Sequence, residues 1–326
     1  MSLKAIARSL LAAVGIGMAW TPASHAQEAY PAKPIRLVLG FAAGGGTDVI
    51  ARALAQRMGE LLGQPVIVDN KAGANGNIAA ETVARATPDG YTLLYNTSSI
   101  AISPALYPKL SYDVSKDLVP VSPTANLPII LVAAKNLGLK SAQDFVAYLK
   151  AHPGQLNYAS AGNGNITHLS ALLFLQATGT KATHIPYRSE APAITDVAGG
   201  QVAFYLGTAP GVTPLMKDGR VLGLAVASLK RMPTAPELPT MSETVAKDLE
   251  LGAWSGIMAP AGTRPEIIDK LNAAVGTALK DKALLEKFAM QGAEPRHGTP
   301  SQYGAFIQSE LLRWSQIIRA NGVRMD

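Results

Sequence analysis

The chain contains no cysteine, and this single absence excludes thiol nucleophiles, thiolate metal sites and disulfide staples together. Charged residues make up only 16% and aromatic residues 6%, against 48% hydrophobic residues, so the fold must be held by an aliphatic core. No G-x-x-x-x-G-K-[S/T] loop and no H-E-x-x-H pair occurs, which removes the P-loop and the zincin helix from consideration. Around Ser160 the order Ala159-Ser160-Ala161-Gly162 is not the G-x-S-x-G of a nucleophile elbow. The histidines stand apart in sequence, and His152, His168, His184 and His297 remain once the N-terminal segment is set aside. No metal and no cofactor is expected.

Long apolar runs are also missing. Lys4 and Arg8 precede the apolar stretch Ser9 to Ala19, and Ser24-His25-Ala26 has the small-x-small form of a cleavage site, so residues 1–26 read as a cleaved export signal. Nothing after it approaches the ~18 apolar residues of a membrane span, and the mature chain is expected to be soluble and periplasmic. The formal charge is +6, from which loss of Lys4 and Arg8 with the leader would leave +4. The remaining basic residues are scattered rather than clustered, which argues against nucleic acid as a partner.

What is present is an α/β alternation. The apolar run Ile35 to Leu39 reads as a strand buried on both faces, Gly44-Gly45-Gly46 as a turn, and Val49, Ile50, Ala53, Leu54, Met58 and Leu61 as a helix ending at Gly63. Strand Val66 to Val68 completes a βαβ unit. A helix stopping before Pro88-Asp89-Gly90, strand Tyr91 to Tyr95 and the hydroxyl-rich turn Asn96-Thr97-Ser98-Ser99 follow. Between Pro120 and Asn136 an extended segment interrupted by prolines reads as a crossing between domains. A second α/β run then places strand Leu156 to Ala159 before the glycine turn Ser160 to Asn165 and a helix carrying His168 and Leu169. Strands Thr183 to Tyr187, Val202 to Leu206 and Leu222 to Ala227 come next, with a helix from Pro192 to Val197. Pro233, Pro236 and Pro239 mark a return crossing, and the tail adds strand Ala253 to Met258 and helices from Pro265, Ala283 and Ser301. This organisation implies residues 27–126 and 230–326 as one lobe and 127–229 as the other.

A glycine turn between a buried strand and a helix suits an anion, because the backbone can approach without a Cβ and the helix N-terminus offers free N–H groups and a positive dipole end. Three readings stay open on these residues alone. In the first, the turn cradles a carboxylate. In the second, Gly44 and Gly46 with Asp69, about 20 residues on, form a dinucleotide fingerprint, although Val49 stands where its third small residue belongs. In the third, an exported hydrolase-like enzyme uses Ser160 with His168.

Several segments, in order and spacing, resemble the periplasmic solute receptors of tripartite tricarboxylate transporters, the Bug family. They are Tyr30-Pro31, Phe41-Ala42-Ala43-Gly44-Gly45-Gly46-Thr47-Asp48, Val68-Asp69-Asn70-Lys71, Gly73-Ala74-Asn75-Gly76 and Pro88-Asp89-Gly90-Tyr91. Tyr158-Ala159-Ser160-Ala161-Gly162 with His168-Leu169, Ile185-Pro186-Tyr187-Arg188 and Trp254-Ser255-Gly256 continue the match. The resemblance implies a type II periplasmic binding fold, two α/β lobes joined by two extended hinge crossings with the ligand cleft between them. It further implies a monomer that catalyses nothing, captures a small organic carboxylate (di-, tri- or aromatic) and passes it to the membrane components of such a transporter. Carried onto this chain, the ligand wall of one lobe would be Phe41, Ala42, Ala43, Gly44, Gly45, Gly46, Thr47 and Asp48, with Thr97 and Ser98. Ser160, Ala161, Gly162, Gly164, Asn165 and His168 would form the other, with Tyr205 beside them. Asp48 and Arg52, at i and i+4, are equally suited to a bridge that braces the loop.

The chain departs from the family at two places. Ala42-Ala43 replaces prolines common in the first loop, and Val202 to Gly207 lacks the aspartates of a V-D-x-x-F-D-like strand. With Ala203 and Gly207 in their place, the wall there is expected to be roomier and able to accept an apolar or aromatic body, and plain acids, aromatic ones included, are expected to bind more tightly than amino acids of similar size.

Overall fold

The computed structural model describes residues 30–107 and 109–323; the expected export signal lies outside them. The chain opens with β1 (Ile35–Leu39), α1 (Gly46–Leu62), β2 (Val66–Asn70), α2 (Asn77–Ala84), β3 (Thr92–Thr97) and α3 (Ser99–Leu106). One turn of helix, α4 (Val114–Asp117), leads into the 16-residue strand β4 (Leu118–Ala133). Next come α5 (Ala142–Ala151), β5 (Asn157–Ser160), α6 (Ile166–Thr178), β6 (Thr183–Pro186), α7 (Glu190–Ala198), β7 (Phe204–Thr208), α8 (Ala209–Lys217) and β8 (Leu222–Val226). The chain returns through α9 (Met241–Thr244), β9 (Gly252–Pro260), α10 (Pro265–Ala278), α11 (Lys282–Met290), β10 (Glu294–Pro295) and α12 (Pro300–Ala320).

Strand β4 belongs to both lobes. Its first part, Leu118 to Pro128, pairs antiparallel with β9, and its second, Ile129 to Ala133, pairs with β7 and β8. The first lobe is therefore the sheet β2-β1-β3-β9-β4, and the second is built on β4-β7-β5-β6 with β8 also on β4. The return crossing runs alongside: Ala227 N–H donates to Ile129 O at 2.8 Å and Leu251 N–H to Ala227 O at 2.7 Å. This is the two-lobed periplasmic binding architecture, with parallel β1–β2–β3 and β5–β6 units whose βαβ connections force the helices onto the sheet faces.

The prolines of β4 were expected to break an extended segment, but they sit inside one continuous strand. Proline cannot donate to a ladder, and the register with β9 shifts between Pro120 and Ser122 and again between Pro123 and Ala125. The bulges absorb the missing donors. Helix α8 is absent from the sequence expectation altogether, because Pro210, Gly211 and Pro214 read as breakers. Pro210 falls in the first turn, where an N–H has no helical acceptor in any case.

Ile35, Leu37, Val38 and Leu39 of β1 are fully buried, as a strand covered on both faces requires. The tail helix α12 packs on α3 and β4, and its Trp314 is fully buried. Glu310, 5% exposed, accepts at Oε2 from the indole N–H groups of Trp254 (3.0 Å) and Trp314 (3.1 Å) and at Oε1 from Arg313 (3.2 Å). A carboxylate left bare there would be costly; with these three donors it ties the tail to β9.

Candidate ligand cleft

Between the lobes lies a cavity that opens to solvent. The N-cap residues of five helices line it: Gly45 of α1 and Ser98 of α3 from the first lobe, and Asn165 of α6, Ser189 of α7 and Thr208 of α8 from the second. The cause is topological. In parallel α/β units each strand's carboxyl end feeds the next helix's amino end, so one rim of each sheet gathers helix N-termini, and here the two rims face each other. Positive dipole ends and first-turn N–H groups therefore converge on one space. Lysine, arginine and histidine are absent from its lining.

Phe41, Ala42, Gly45, Gly46, Thr47, Asp48, Thr97, Ser98, Ala161 and Asn165 of the sequence expectation line this cavity. Ser98 is fully buried and its Oγ has no hydrogen-bond partner among the described residues. Asp48 lies in the wall, but its carboxylate is already engaged. Oδ2 accepts from Gly44 N–H and Arg52 Nε, each at 2.9 Å, and Oδ1 from Asn70 Nδ2 at 2.9 Å. Asn70 Nδ2 also donates to Phe41 O at 2.9 Å, and its Oδ1 accepts from Arg52 Nη2 at 2.7 Å. Burial alone would raise the Asp48 pKa, but the bonds from Arg52, Gly44 and Asn70 outweigh it and hold the carboxyl below its usual range. Asp48 and Arg52 thus brace the loop from Phe41 to Gly45, whose Gly44 takes φ +82°.

The other expected residues stand outside the cavity wall. Ala43 and Gly44 lie on the exposed side of the first loop. Gly162 faces a neighbouring opening, and Gly164 N–H donates to His168 Nδ1 at 3.1 Å. His168 stacks on His184 at 4.0 Å between ring centroids, and His184 stacks in turn on Tyr158 at 4.9 Å. The anticipated pairing of Ser160 with His168 does not occur. Ser160 is fully buried, and its Oγ lies 2.6 Å from His184 Nε2, because β5 and β6 run parallel with Tyr158 opposite His184, which puts Ser160 and His184 on one face. Burial lowers the pKa of His168, and burial together with the His168 charge lowers that of His184 to about 4.

Tyr205 was expected at the ligand but sits one layer behind it, fully buried, with its hydroxyl donating to Glu190 Oε1 at 3.1 Å. Leu127, Ile166, Thr167, Ser189, Glu190, Thr208 and Ala253 also line the cavity and were not suggested by the sequence; Glu190, the first residue of α7, is the charged one among them. Its carboxyl also accepts from Thr208 N–H at 2.9 Å, and burial pushes its pKa up to about 7 against the lowering by these bonds. A Cβ on Gly211 would overlap it. Ala203 and Gly207 take no part in the wall: Ala203 N–H donates to Asn157 Oδ1 at 2.9 Å, and a Cβ on Gly207 would run into Tyr205 and Val212. A carboxyl nevertheless reaches the cavity from a different element, as Glu190.

Residues 50–323 match the TctC family, the tripartite tricarboxylate transporter family receptor. The chain belongs to this family. Protein BugT of Bordetella pertussis is 40% identical over 320 residues, covering 97% of this chain and 98% of that protein. Among solved structures, an R. palustris protein with adipate is 34% identical with TM-score 0.88, covering 91% of this chain and 100% of that one. The periplasmic binding protein BugD is also 34% identical with TM-score 0.86 and the same coverage, 91% and 100%. MatC from Rhodopseudomonas palustris with bound malate is 33% identical with TM-score 0.83, covering 89% of this chain and 100% of the other.

The two lobes of this TctC chain touch across the cleft. Asn75, at φ 53°, donates from Nδ2 to Gly164 O at 3.3 Å, and its Oδ1 accepts from Asn165 Nδ2 at 3.0 Å and from Ser99 Oγ at 2.9 Å. Gly46 of α1 packs directly on the Pro210–Gly211 backbone of α8. Among the described residues no helix is long and apolar enough to cross a membrane.

Proposed function

We propose that the protein is a periplasmic, monomeric solute receptor that captures a small organic carboxylate, di-, tri- and aromatic acids included, between its lobes. It hands the acid unchanged to the membrane components of a tripartite tricarboxylate-type transporter. The carrying observation is the convergence of five helix N-termini on one cavity with no basic side chain in its lining. A carboxylate fits that arrangement because backbone N–H groups and helix dipoles already point at the space, and the unpartnered Ser98 hydroxyl gains an acceptor when the ligand arrives. The relatives holding adipate and malate agree with this chemistry. The lobes are residues 27–126 with 230–326 and residues 127–229, and export removes residues 1–26.

A thermal-shift screen over organic acids tests the reading, since a ligand that binds only the native state at 100 times its dissociation constant adds about 2.7 kcal/mol. Calorimetry on Ser98→Ala should then show affinity reduced by about 1.5–3 kcal/mol, the worth of a hydrogen bond to a charged group. Absence of any carboxylate hit, or turnover of the acid, would overturn the proposal.

A further inference from the structure

The side-chain charges of the cavity lining are Asp48 and Glu190, both acidic. Asp48 is engaged with Arg52, Gly44 and Asn70, but no ion pair among the described residues joins Glu190. The neighbouring elements supply it with no cation. From β7 it meets the Tyr205 hydroxyl and from the start of α8 the Thr208 N–H and hydroxyl. Asp196, further along α7, is bonded to the Tyr187 hydroxyl; on β5 the Ser160 hydroxyl is bonded to His184; across the cleft α1 presents Asp48. Oε1 of Glu190 collects Thr208 N (2.9 Å), Thr208 Oγ1 (3.1 Å) and Tyr205 OH (3.1 Å), whereas Oε2 has only a share of the Thr208 hydroxyl at 3.0 Å. Oε1 is saturated by protein, whereas Oε2 of this cavity-lining residue has room for a further donor.

We propose that Glu190 selects ligands bearing an ammonium group, which donates to Oε2 while the ligand's carboxylate lies at the helix N-termini of the first lobe. This rests on the carboxylate-receptor reading. A zwitterion brings its own cation to an uncompensated, half-buried carboxylate and its anion to the dipole ends, so both charges are paired away from bulk water. An acid without the amine brings only negative charge, and Glu190 must hold a proton to tolerate a second carboxylate beside it. Glu190 favours the ionised form once the ammonium arrives, being at the N-terminus of α7 and bonded to the N-cap N–H of α8. Because burial pushes its carboxyl up to about 7, the two ligand types move protons in opposite directions at neutral pH. An ammonium displaces the proton, and a plain diacid recruits it.

Calorimetry at pH 7 in two buffers of different ionisation enthalpy, with short mono- and dicarboxylates and their α-hydroxy and α-amino counterparts, decides the matter. The α-amino members should bind roughly tenfold or more tightly than both the parent and the hydroxy acids, as a charge-assisted bond implies, with net proton release. In Glu190→Gln, whose folding is checked by melting, the ratio of amino to parent affinity should fall towards one. Parent or hydroxy acids binding as tightly, proton uptake with the amino acids, or a preserved ratio in Glu190→Gln would each overturn the inference while leaving the receptor reading intact. Failure of every carboxylate to bind would overturn both. Should Glu190→Gln not fold, the proton count and affinity order of the unmutated protein decide alone.

Discussion

Gly46→Ala separates closure from folding. Gly46 is buried at the first position of α1, with no positive φ to protect, so within its own lobe alanine is the better helix former by as much as ~1 kcal/mol. Across the cleft the situation reverses. The new Cβ would lie 2.6 Å from Gly211 N and 2.6 Å from Pro210 Cβ, where ordinary contacts begin at 3.4 Å. The α8 backbone cannot retreat, because Glu190 fills the space behind Gly211. The lobes must then part by roughly 1 Å, and overpacking of this kind costs about 1–3 kcal/mol. The cost falls on the closed state alone, so the apparent dissociation constant rises by the lost fraction of competent molecules, roughly 5- to 150-fold. Titration calorimetry with the best acid from the screen, scattering with and without that acid, and calorimetric melting of the free protein measure the three parts. Expected are weaker binding, a smaller ligand-induced compaction and an unchanged or slightly higher melting temperature. Unaltered affinity with full compaction would refute the reasoning, because α1 and α8 could not then be in contact when ligand is held.

Asp48→Asn should destabilise the protein by about 1–3 kcal/mol in a denaturant melt, since Gly44 N–H and Arg52 lose a charged acceptor. With a lowered folded pKa, the stabilisation from Asp48 is present above its usual value of 3.8 and fades as pH falls through its folded one. His184 behaves oppositely in cause: its folded form is neutral to about 4 while the unfolded chain protonates near 6.5, so melting temperature should drop as pH falls across that window, and His184→Gln should flatten the drop. Asn75→Gly keeps the positive φ but removes the bonds to Gly164 and Asn165, and should weaken ligand binding about 5- to 30-fold by calorimetry with little change in the free protein's melting.

Where each segment's fold follows from its own periodicity, the sequence is readable. β1 is an unbroken apolar run, α1 repeats its apolar residues at helical spacing, and Asp48 and Arg52 are visible as a bracing pair because i and i+4 are adjacent on any helix. Legibility stops where distant elements supply the constraint. Pro210 and Pro214 hide α8, since only the structure shows which falls in a first turn. Glu190 resembles any acidic residue opening a helix until β7 and α8 fold beside it, and Gly211, far along the chain, proves to be the residue that leaves it room. The expectation drawn from Ala203 and Gly207 asked whether the family's aspartates were present at their own positions. The cavity depends instead on whether any carboxyl reaches that space.

The division of labour in the cleft follows from where its polarity comes from. Helix N-terminal N–H groups belong to the backbone, are held in place by strands and helices, and need no reorientation when an anion arrives. They persist through almost any side-chain substitution that leaves the fold intact, so on the proposed reading the fold itself carries the affinity for a carboxylate; the relatives at 33–34% identity with adipate and malate share this fold. Discrimination must then reside in the few side chains that differ in charge or hydrogen-bonding sense from this uniformly donating background. In this chain the lining provides one carboxyl with an unsaturated edge, Glu190, and one buried hydroxyl without a partner, Ser98. On the proposed reading, an acceptor set among donors reads the part of the ligand that is not a carboxylate, and it does so without weakening the part that is.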